Sequence, residues 1–250
     1  KAVAADLSDQ AALAAALEGV DAAFFHLPMP SGPDDIAGWM GAFMGAAHQV
    51  KLPFMVYTTS GAAGARYPSS AIIDAATQGL EAVLASGVPT VALKPAVYLE
   101  NLQPPFFLPN MRSGGVVDYP PVPPQMRVQW TSHIDQARIA VAALQRSDLA
   151  GQSFDIGSPG ALTGAQLATA LGNWVGRDLR FQPTTPAAFG KRVAETIGNP
   201  GAEFALRDSY TALASMGQAD MVVNTAKLEQ LFGVTLTAAT DHIAAWPREA

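Results

Sequence analysis

Four apolar runs in the first hundred residues end on groups that could meet a ligand: Asp6-Leu7, Leu27-Pro28, Thr59-Ser60 and Lys94-Pro95. Each is ordinary alone, since a serine after a strand is commonly a helix cap or a turn residue. In a doubly wound sheet, ligands bind beyond the carboxyl ends of the strands, so these four ends should converge on one crevice. Other candidates for chemistry are weaker. His26, His48, His133 and His242 are widely spaced and lack an H-x-x-x-H or His-acid ligand pattern, so no metal site is expected. His26 alone falls at a strand end where it could touch a ligand. Asp34-Asp35 suits the positive end of a helix better than an acid/base pair. Thr59-Ser60-Gly61 lacks the leading glycine of a Gly-x-Ser-x-Gly elbow, which disfavours a serine hydrolase. The chain has no cysteine, hence no disulfide, thiolate nucleophile or thiolate metal site.

The elements that must position these residues alternate along the chain. Residues 1–6 read as a strand running into a helix over Gln10 to Glu18, with Ser8 as N-cap and Gly19 as the stop. Ala22 to Leu27 is the next strand, followed by a Pro-Gly loop and a helix to about Val50. Trp39, Met40, Met44 and the loop residue Met29 read as packing. Phe54 to Thr58 and Thr90 to Lys94 are strands, separated by a helix from about Ser70 to Ser86 that Gly87 closes. This alternation predicts a mostly parallel sheet with right-handed crossovers.

Beyond Lys94 the rhythm loosens. Pro95 to Met111 reads as an aromatic, proline-interrupted helix or loop, Val116-Val117 as a short strand, and Pro120 to Pro124 as a rigid connector. Ile134 to Gln145 reads as a helix burying Ile134, Ala137, Val141 and Leu144. Ser153 to Gly157 is the last expected strand of the main sheet. Thr163 caps a helix to Val175, Leu179 to Phe181 is a short strand, and the rest is helical, with Asn224 and Thr237 as caps. The fold class is therefore α/β, a doubly wound parallel sheet in 1–157 with a smaller helix-rich domain in 158–250 that takes in part of 98–130.

Composition agrees. Hydrophobic residues make up 49% of the 250 and charged ones 14%, which fits a buried α/β core and excludes a disordered chain. A net charge of −6 without a basic stripe gives no reason to expect a nucleic-acid partner. No apolar run approaches the ~20 residues of a membrane span, and no signal peptide is recognisable, so a soluble cytoplasmic protein is the expectation. The opening strand and helix look like the middle of a dinucleotide-binding domain. The glycine fingerprint of the first strand-helix turn does not occur before residue 60. The reading is of a domain lacking its N-terminal βαβα segment, roughly 40–50 residues by the usual size of such units. In that state it should bind dinucleotide poorly and expose an edge of the strand at Ala22 to Leu27.

The ordered set of motifs resembles a known family. Asp6-Leu7-Ser-Asp-Gln-Ala-Ala-Leu13, Leu17-Glu-Gly19-Val-Asp21-Ala-Ala-Phe24-Phe25 and Lys94-Pro-Ala-Val-Tyr98-Leu-Glu100-Asn101 are similar to stretches of NmrA-like proteins, atypical short-chain dehydrogenases/reductases. So are Ile134-Asp135 through Ala140, Gly151 to Gly157, and Leu162-Thr163 with Gln166-Leu167. The resemblance implies an NAD(P) cofactor, with NADP favoured. Asp6-Leu7 would lie against the adenine, Leu27-Pro28 by the central ribose, and Thr59-Ser60 by the nicotinamide half. Pro95, Ala96 and Val97 would back the nicotinamide ring, with Tyr98 and Asn101 towards a small-molecule substrate. Backbone groups and small side chains at strand ends suit the close approach of a flat cofactor. Asn101 equally suits a helix cap, and Tyr98 equally suits packing against the second domain.

Two departures bear on activity. Thr77 stands where many members have lysine, in the cofactor-facing stretch, and Tyr67 is followed four residues on by Ala71, so the superfamily's Tyr-x-x-x-Lys pair is absent. A tyrosinate held by lysine is that superfamily's usual acid/base. The leading expectation is an NAD(P)-dependent oxidoreductase acting on a small carbonyl or quinone-like substrate. The alternative is a non-catalytic redox sensor that binds a protein partner; a sugar-nucleotide epimerase-like enzyme is disfavoured by the same missing pair.

Overall fold

The computed structural model describes residues 2–28, 33–103 and 110–247. Residues 2–6, expected as a strand, pair with no strand among the described residues. A run this short is held extended only by a neighbour's ladder. Ser8 is not the cap that its position suggests. Its N–H and Oγ both donate to Asp6 Oδ1, at 2.8 and 2.7 Å. Asp9 is left to accept the N–H groups of Ala11 and Ala12 at the start of α1 (Gln10–Leu17).

From here the alternation holds. β1 (Ala23–His26) leads through α2 (Pro33–Val50) to β2 (Met55–Thr58), and β2 through α3 (Ala71–Leu84) to β3 (Thr90–Pro95). Ser70 caps α3 by accepting from Ile73 N–H. The loop before α2 lies largely outside the described residues, as does Met29. After β3 come β4 (Val97–Tyr98), a 3-10 turn (Leu99–Leu102), a π turn (Asn110–Gly114), β5 (Val116–Val117), β6 (Trp130–Thr131), α4 (His133–Ala143) and β7 (Ser153–Ile156). Most of the expected aromatic stretch, residues 104–109, lies outside the described residues.

The main sheet runs β1-β2-β3-β7, all parallel. Alternation along β2 divides its side chains between two cores. Met55 and Tyr57 join Leu13 of α1, Phe43 of α2 and Leu80 of α3 on one face, and Val56 joins Val91, Leu93 and Ile139 of α4 on the other. A strand buried on both faces is what a doubly wound sheet requires. β1 is an edge of this sheet: Phe25 stacks on Phe43 with ring centroids 3.7 Å apart, while Phe24 is 41% exposed. Met40 and Met44 pack against the first face, and Trp39 is half-buried.

The C-terminal part comprises α5 (Gly164–Val175), β8 (Arg180–Phe181), α6 (Pro186–Ile197), α7 (Gly201–Ala214), α8 (Thr225–Phe232) and α9 (Ala239–Ala244). Thr163 and Gln166 form a capping box on α5, and Asn224 caps α8. β8 pairs with β5, and β4 with β6, in two separate two-stranded sheets. A third core joins Leu99, Val117, Tyr119 and Trp130 to Leu171, Phe189 and Leu213, so much of the stretch between β3 and α4 packs with the C-terminal helices. α8 instead returns to the main sheet through Leu228 and Phe232. No helix among the described residues is long and apolar enough to cross a membrane.

Two expectations change here. Ile134 and Val141 are 56% and 64% exposed, whereas Asp135, Gln136, Ile139, Ala140 and Ala143 form the buried face of α4. The helix is turned by its polar partners. Fully buried Asp135 faces His242 Nε2 at 2.9 Å and accepts from Arg138 at 2.9 Å and from Thr237 N–H at 3.2 Å. Thr237 therefore serves this cluster, its Oγ1 accepting from Arg138, while Ala238 occupies the cap position of α9 without a side-chain bond.

Candidate functional site

Parallel register sets His26, Thr58 and Leu93 side by side at the carboxyl edge of the sheet. The ladder continues one step, Thr59 N–H donating to Leu93 C=O at 3.1 Å, and then β2 turns sharply. Thr58 Oγ1 accepts from Ser60 N–H at 3.3 Å, and Thr59 Oγ1 donates to Gly61 C=O at 2.7 Å. Ser60 sits in the left-handed region at φ 56°, a conformation that costs a non-glycine residue about 1–2 kcal/mol. Its Oγ is buried and makes no hydrogen bond of good geometry among the described residues. A strained residue with an unpaired hydroxyl at a strand end is the kind of feature that functional sites retain.

A second group of side chains meets this turn from β4 and α4. Pairing of Val97 with Trp130 and of Tyr98 with Thr131 fixes β4 against β6, and Ser132 then caps α4. Tyr98 Oη donates to Gln136 Oε1 at 2.9 Å, and its ring meets His133 edge-on with centroids 4.7 Å apart. The Thr58 and Ser60 hydroxyls also lie beside this phenol, although Ser60 makes no hydrogen bond of good geometry. Burial raises the Tyr98 pKa, against the opposing influence of Gln136, Thr58 and Ser60 and with a small addition from Glu100. The phenol therefore keeps its proton at neutral pH. Glu100 Oε1 accepts from Ser132 Oγ at 3.2 Å and from His133 N–H at 3.0 Å. Its Oε2 lies 3.8 Å from His133 Nδ1. Burial, and then the nearby His133, lower the pKa of His26.

On the far side of the loop after β2, Asp155 Oδ2 lies between Lys94 Nζ at 3.4 Å and Arg66 at 3.5 Å. Tyr67 is buried beside them and its pKa is pushed up to about 12, chiefly by burial and then by Asp155, with Arg66 opposing.

The expected site residues fall into three groups. Thr59, Ser60, Pro95, Ala96, Val97 and Tyr98 lie along the ends of β2 and β3 and in β4; Pro95 and Val97 are buried, Ala96 half-buried. Leu27 follows β1, half-buried against the α1–α3 face, and Pro28 is exposed. Asp6 is exposed and Leu7 half-buried against that same face, and no sheet pairing holds either in the row of strand ends. Thr77 turns its hydroxyl inward, accepting from Gly64 N–H at 2.8 Å and donating to Ile73 C=O at 2.7 Å. Asn101 is not a cap: it lies within the 3-10 turn, and its Nδ2 donates to Tyr119 Oη at 3.3 Å. Thr58, Glu100, His133 and Gln136 were not singled out from the sequence as site residues, because their convergence depends on the β4–β6 pairing between segments some thirty residues apart.

The model of the NmrA-like family matches residues 1–240. The chain belongs to the NmrA-like family. This NmrA-like chain is 33% identical over 178 residues to the (4-alkanoyl-5-oxo-2,5-dihydrofuran-3-yl)methyl phosphate reductase of Streptomyces griseus, covering 70% of this chain and 58% of that protein. It is 30% identical over 185 residues to the NAD(P)H azoreductase of Xenophilus azovorans, covering 73% and 61% respectively. The matches thus span about three-fifths of these curated relatives. Among solved structures, the NADPH-dependent quinone oxidoreductase of Escherichia coli, complexed with NADPH, superposes with TM-score 0.72 at 21% identity, over 96% of this chain and 81% of that one. The triphenylmethane reductase of Citrobacter sp., complexed with NADP(H), gives 0.68 at 21% identity over the same shares. These two establish that the NmrA-like chain shares their fold.

Proposed function

We propose that this protein is an NAD(P)-dependent oxidoreductase acting on a small carbonyl or quinone-like substrate, with NADP favoured. The single observation that carries the reading is the turn after β2, where strained Ser60 holds a buried hydroxyl beside Tyr98 at the carboxyl edge of the sheet. The family membership and the names of the two curated relatives, both reductases, support the same direction.

The residues at this edge fit a nicotinamide cofactor. Thr59, Ser60 and the run Pro95-Ala96-Val97 would hold its nicotinamide half, Leu27-Pro28 its ribose, and Asp6-Leu7 its adenine, with Thr77 supporting the loop beside Ser60. Reduced nicotinamide, when bound, supplies a hydride. Tyr98 and Asn101 would face the substrate, between the main domain, 1–157, and a smaller substrate domain, 158–250, that includes part of 98–130. A cytoplasmic location goes with this reading.

The test is fluorescence titration of the full-length protein with NADPH and NADH, followed by turnover with a panel of quinones and aldehydes. Micromolar binding with oxidation of the cofactor is the expected result, and failure to bind either would overturn the proposal. A second reading, a non-catalytic redox sensor with a protein partner, is favoured by Thr77, whose hydroxyl is committed to Gly64 and Ile73 where many members have lysine. Tight binding without turnover would select it.

A further inference from the structure

The chain lacks the Tyr-x-x-x-Lys pair, yet reduction of a carbonyl needs a proton as well as a hydride. Two hydroxyls stand together at the end of β2, Ser60 Oγ from the strand itself and Tyr98 Oη from the segment after β3. Tyr98 is oriented from three sides. β4 pairing with β6 fixes its backbone, Gln136 accepts from its hydroxyl at 2.9 Å, and His133 holds the edge of its ring. His133 in turn is positioned by Glu100, which accepts its N–H, and its side chain is 59% exposed, so it reaches solvent.

We propose that Tyr98 is the proton donor of this protein, with Ser60 orienting the substrate oxygen beside it and water restoring the proton. This rests on the reductase reading. As hydride reaches the carbonyl carbon, the C=O π bond breaks and its electron pair moves to oxygen. The Tyr98 O–H bond breaks, a new O–H bond forms on the substrate, and the pair left on Tyr98 is the phenolate. Water then gives that phenolate a proton and leaves as hydroxide, which bulk solvent neutralises. A developing alkoxide is far more basic than a phenolate, so the transfer runs downhill even from a phenol reluctant to ionise. Gln136 accepts from the resting phenol, and the titratable neighbours are Glu100 from the 3-10 turn and His133 from α4, with His26 of β1 beside His133.

The test follows Tyr98 itself in the full-length protein carrying ring-labelled tyrosine, its NMR signal assigned by loss in Tyr98→Phe. On saturation with NADP⁺ the ionisation of Tyr98 should move down by about 1 unit or more, because a cationic nicotinamide held at these strand ends would favour the phenolate. In turnover, Tyr98→Phe should lower kcat for an aldehyde roughly 100-fold or more. The fall should be much smaller for a quinone, whose reduced form is a weaker base, and NADPH affinity should hold within about threefold. Binding of NADP⁺ without a shift at Tyr98, or undiminished aldehyde reduction by Tyr98→Phe, overturns the assignment and leaves the reductase reading standing. Absence of NADP⁺ binding, or binding with no turnover in the parent protein, overturns both.

Discussion

Replacing Ser60 should make the protein more stable and a poorer binder of cofactor. At φ 56° the serine backbone carries about 1 kcal/mol of strain that glycine does not feel. Glycine gives back roughly 0.5–1 kcal/mol through the freedom it adds to the unfolded chain, so these two effects nearly cancel. The hydroxyl decides the sign. Its Oγ is buried beside the Tyr98 hydroxyl but makes no hydrogen bond of good geometry among the described residues, and leaving such a group unsatisfied costs up to about 1–3 kcal/mol. Ser60→Gly should therefore gain about 1 kcal/mol in urea unfolding, with a rise in Tm of about 2–4 °C for a chain of this size. Ser60→Ala, which keeps the strain but loses the hydroxyl, should gain a similar amount or less. In the same proteins NADPH affinity should fall by up to about tenfold, the worth of one ordinary hydrogen bond. Stability given up at a functional position in this way is the usual trade-off. A loss of more than about 1 kcal/mol in Ser60→Gly would refute the reasoning, because it would mean that the native turn depends on a bond made by that hydroxyl. Unchanged affinity with the expected gain in stability would remove Ser60 from the cofactor site.

Three further outcomes follow from buried polar groups. Asp135→Ala should lose about 2–4 kcal/mol in urea unfolding, since it leaves His242 Nε2 and Thr237 N–H without their partner, at about 1–3 kcal/mol each, while half-exposed Arg138 keeps Thr237 Oγ1 and Thr235 C=O; a cost under 1 kcal/mol would show that the cluster is solvated. Tyr67 ionises near 10 when unfolded but near 12 when folded, so its contribution is intact below pH 10 and is lost as pH rises through about 12. The loss amounts to about 2–3 kcal/mol for such a shift, and Tyr67→Phe should flatten the fall in stability between pH 10 and 12 by that amount. Thr77→Val leaves Gly64 N–H without its acceptor and should destabilise by about 1–3 kcal/mol, seen as a shift of the urea midpoint at constant slope.

Local physics made much of the fold legible in the sequence. Ser70, Thr163 and Asn224 cap helices because their side chains reach N–H groups two or three residues on, and a contact that short in sequence needs no knowledge of the rest of the molecule. β2 and β3 were readable as apolar runs between turn signals, and their parallel pairing follows from the helices that join them. The same locality explains the errors. Ser8 has every local attribute of a cap, but Asp6 competes for its hydroxyl at 2.7 Å. Residues 2–6 have strand composition, yet a strand exists only by its neighbour.

The site divides along the same line. Thr59, Ser60 and the run from Pro95 to Tyr98 could be named because strand ends carry the ligands of such sheets. That Ser60 is strained and unpartnered could not be named, since φ is set by how β2 must turn over the sheet edge. The face of α4 was misread for a related reason. Its apolar periodicity favours burying Ile134 and Val141, but one carboxylate satisfied by Arg138, Thr237 and His242 outweighs them, and two of those partners lie about a hundred residues away. Sequence determines what each segment can bury and which of its own groups it can bond. Which distant polar group completes a buried one is decided only when the chain has closed on itself, because an unpaired charge in the interior costs more than an exposed isoleucine.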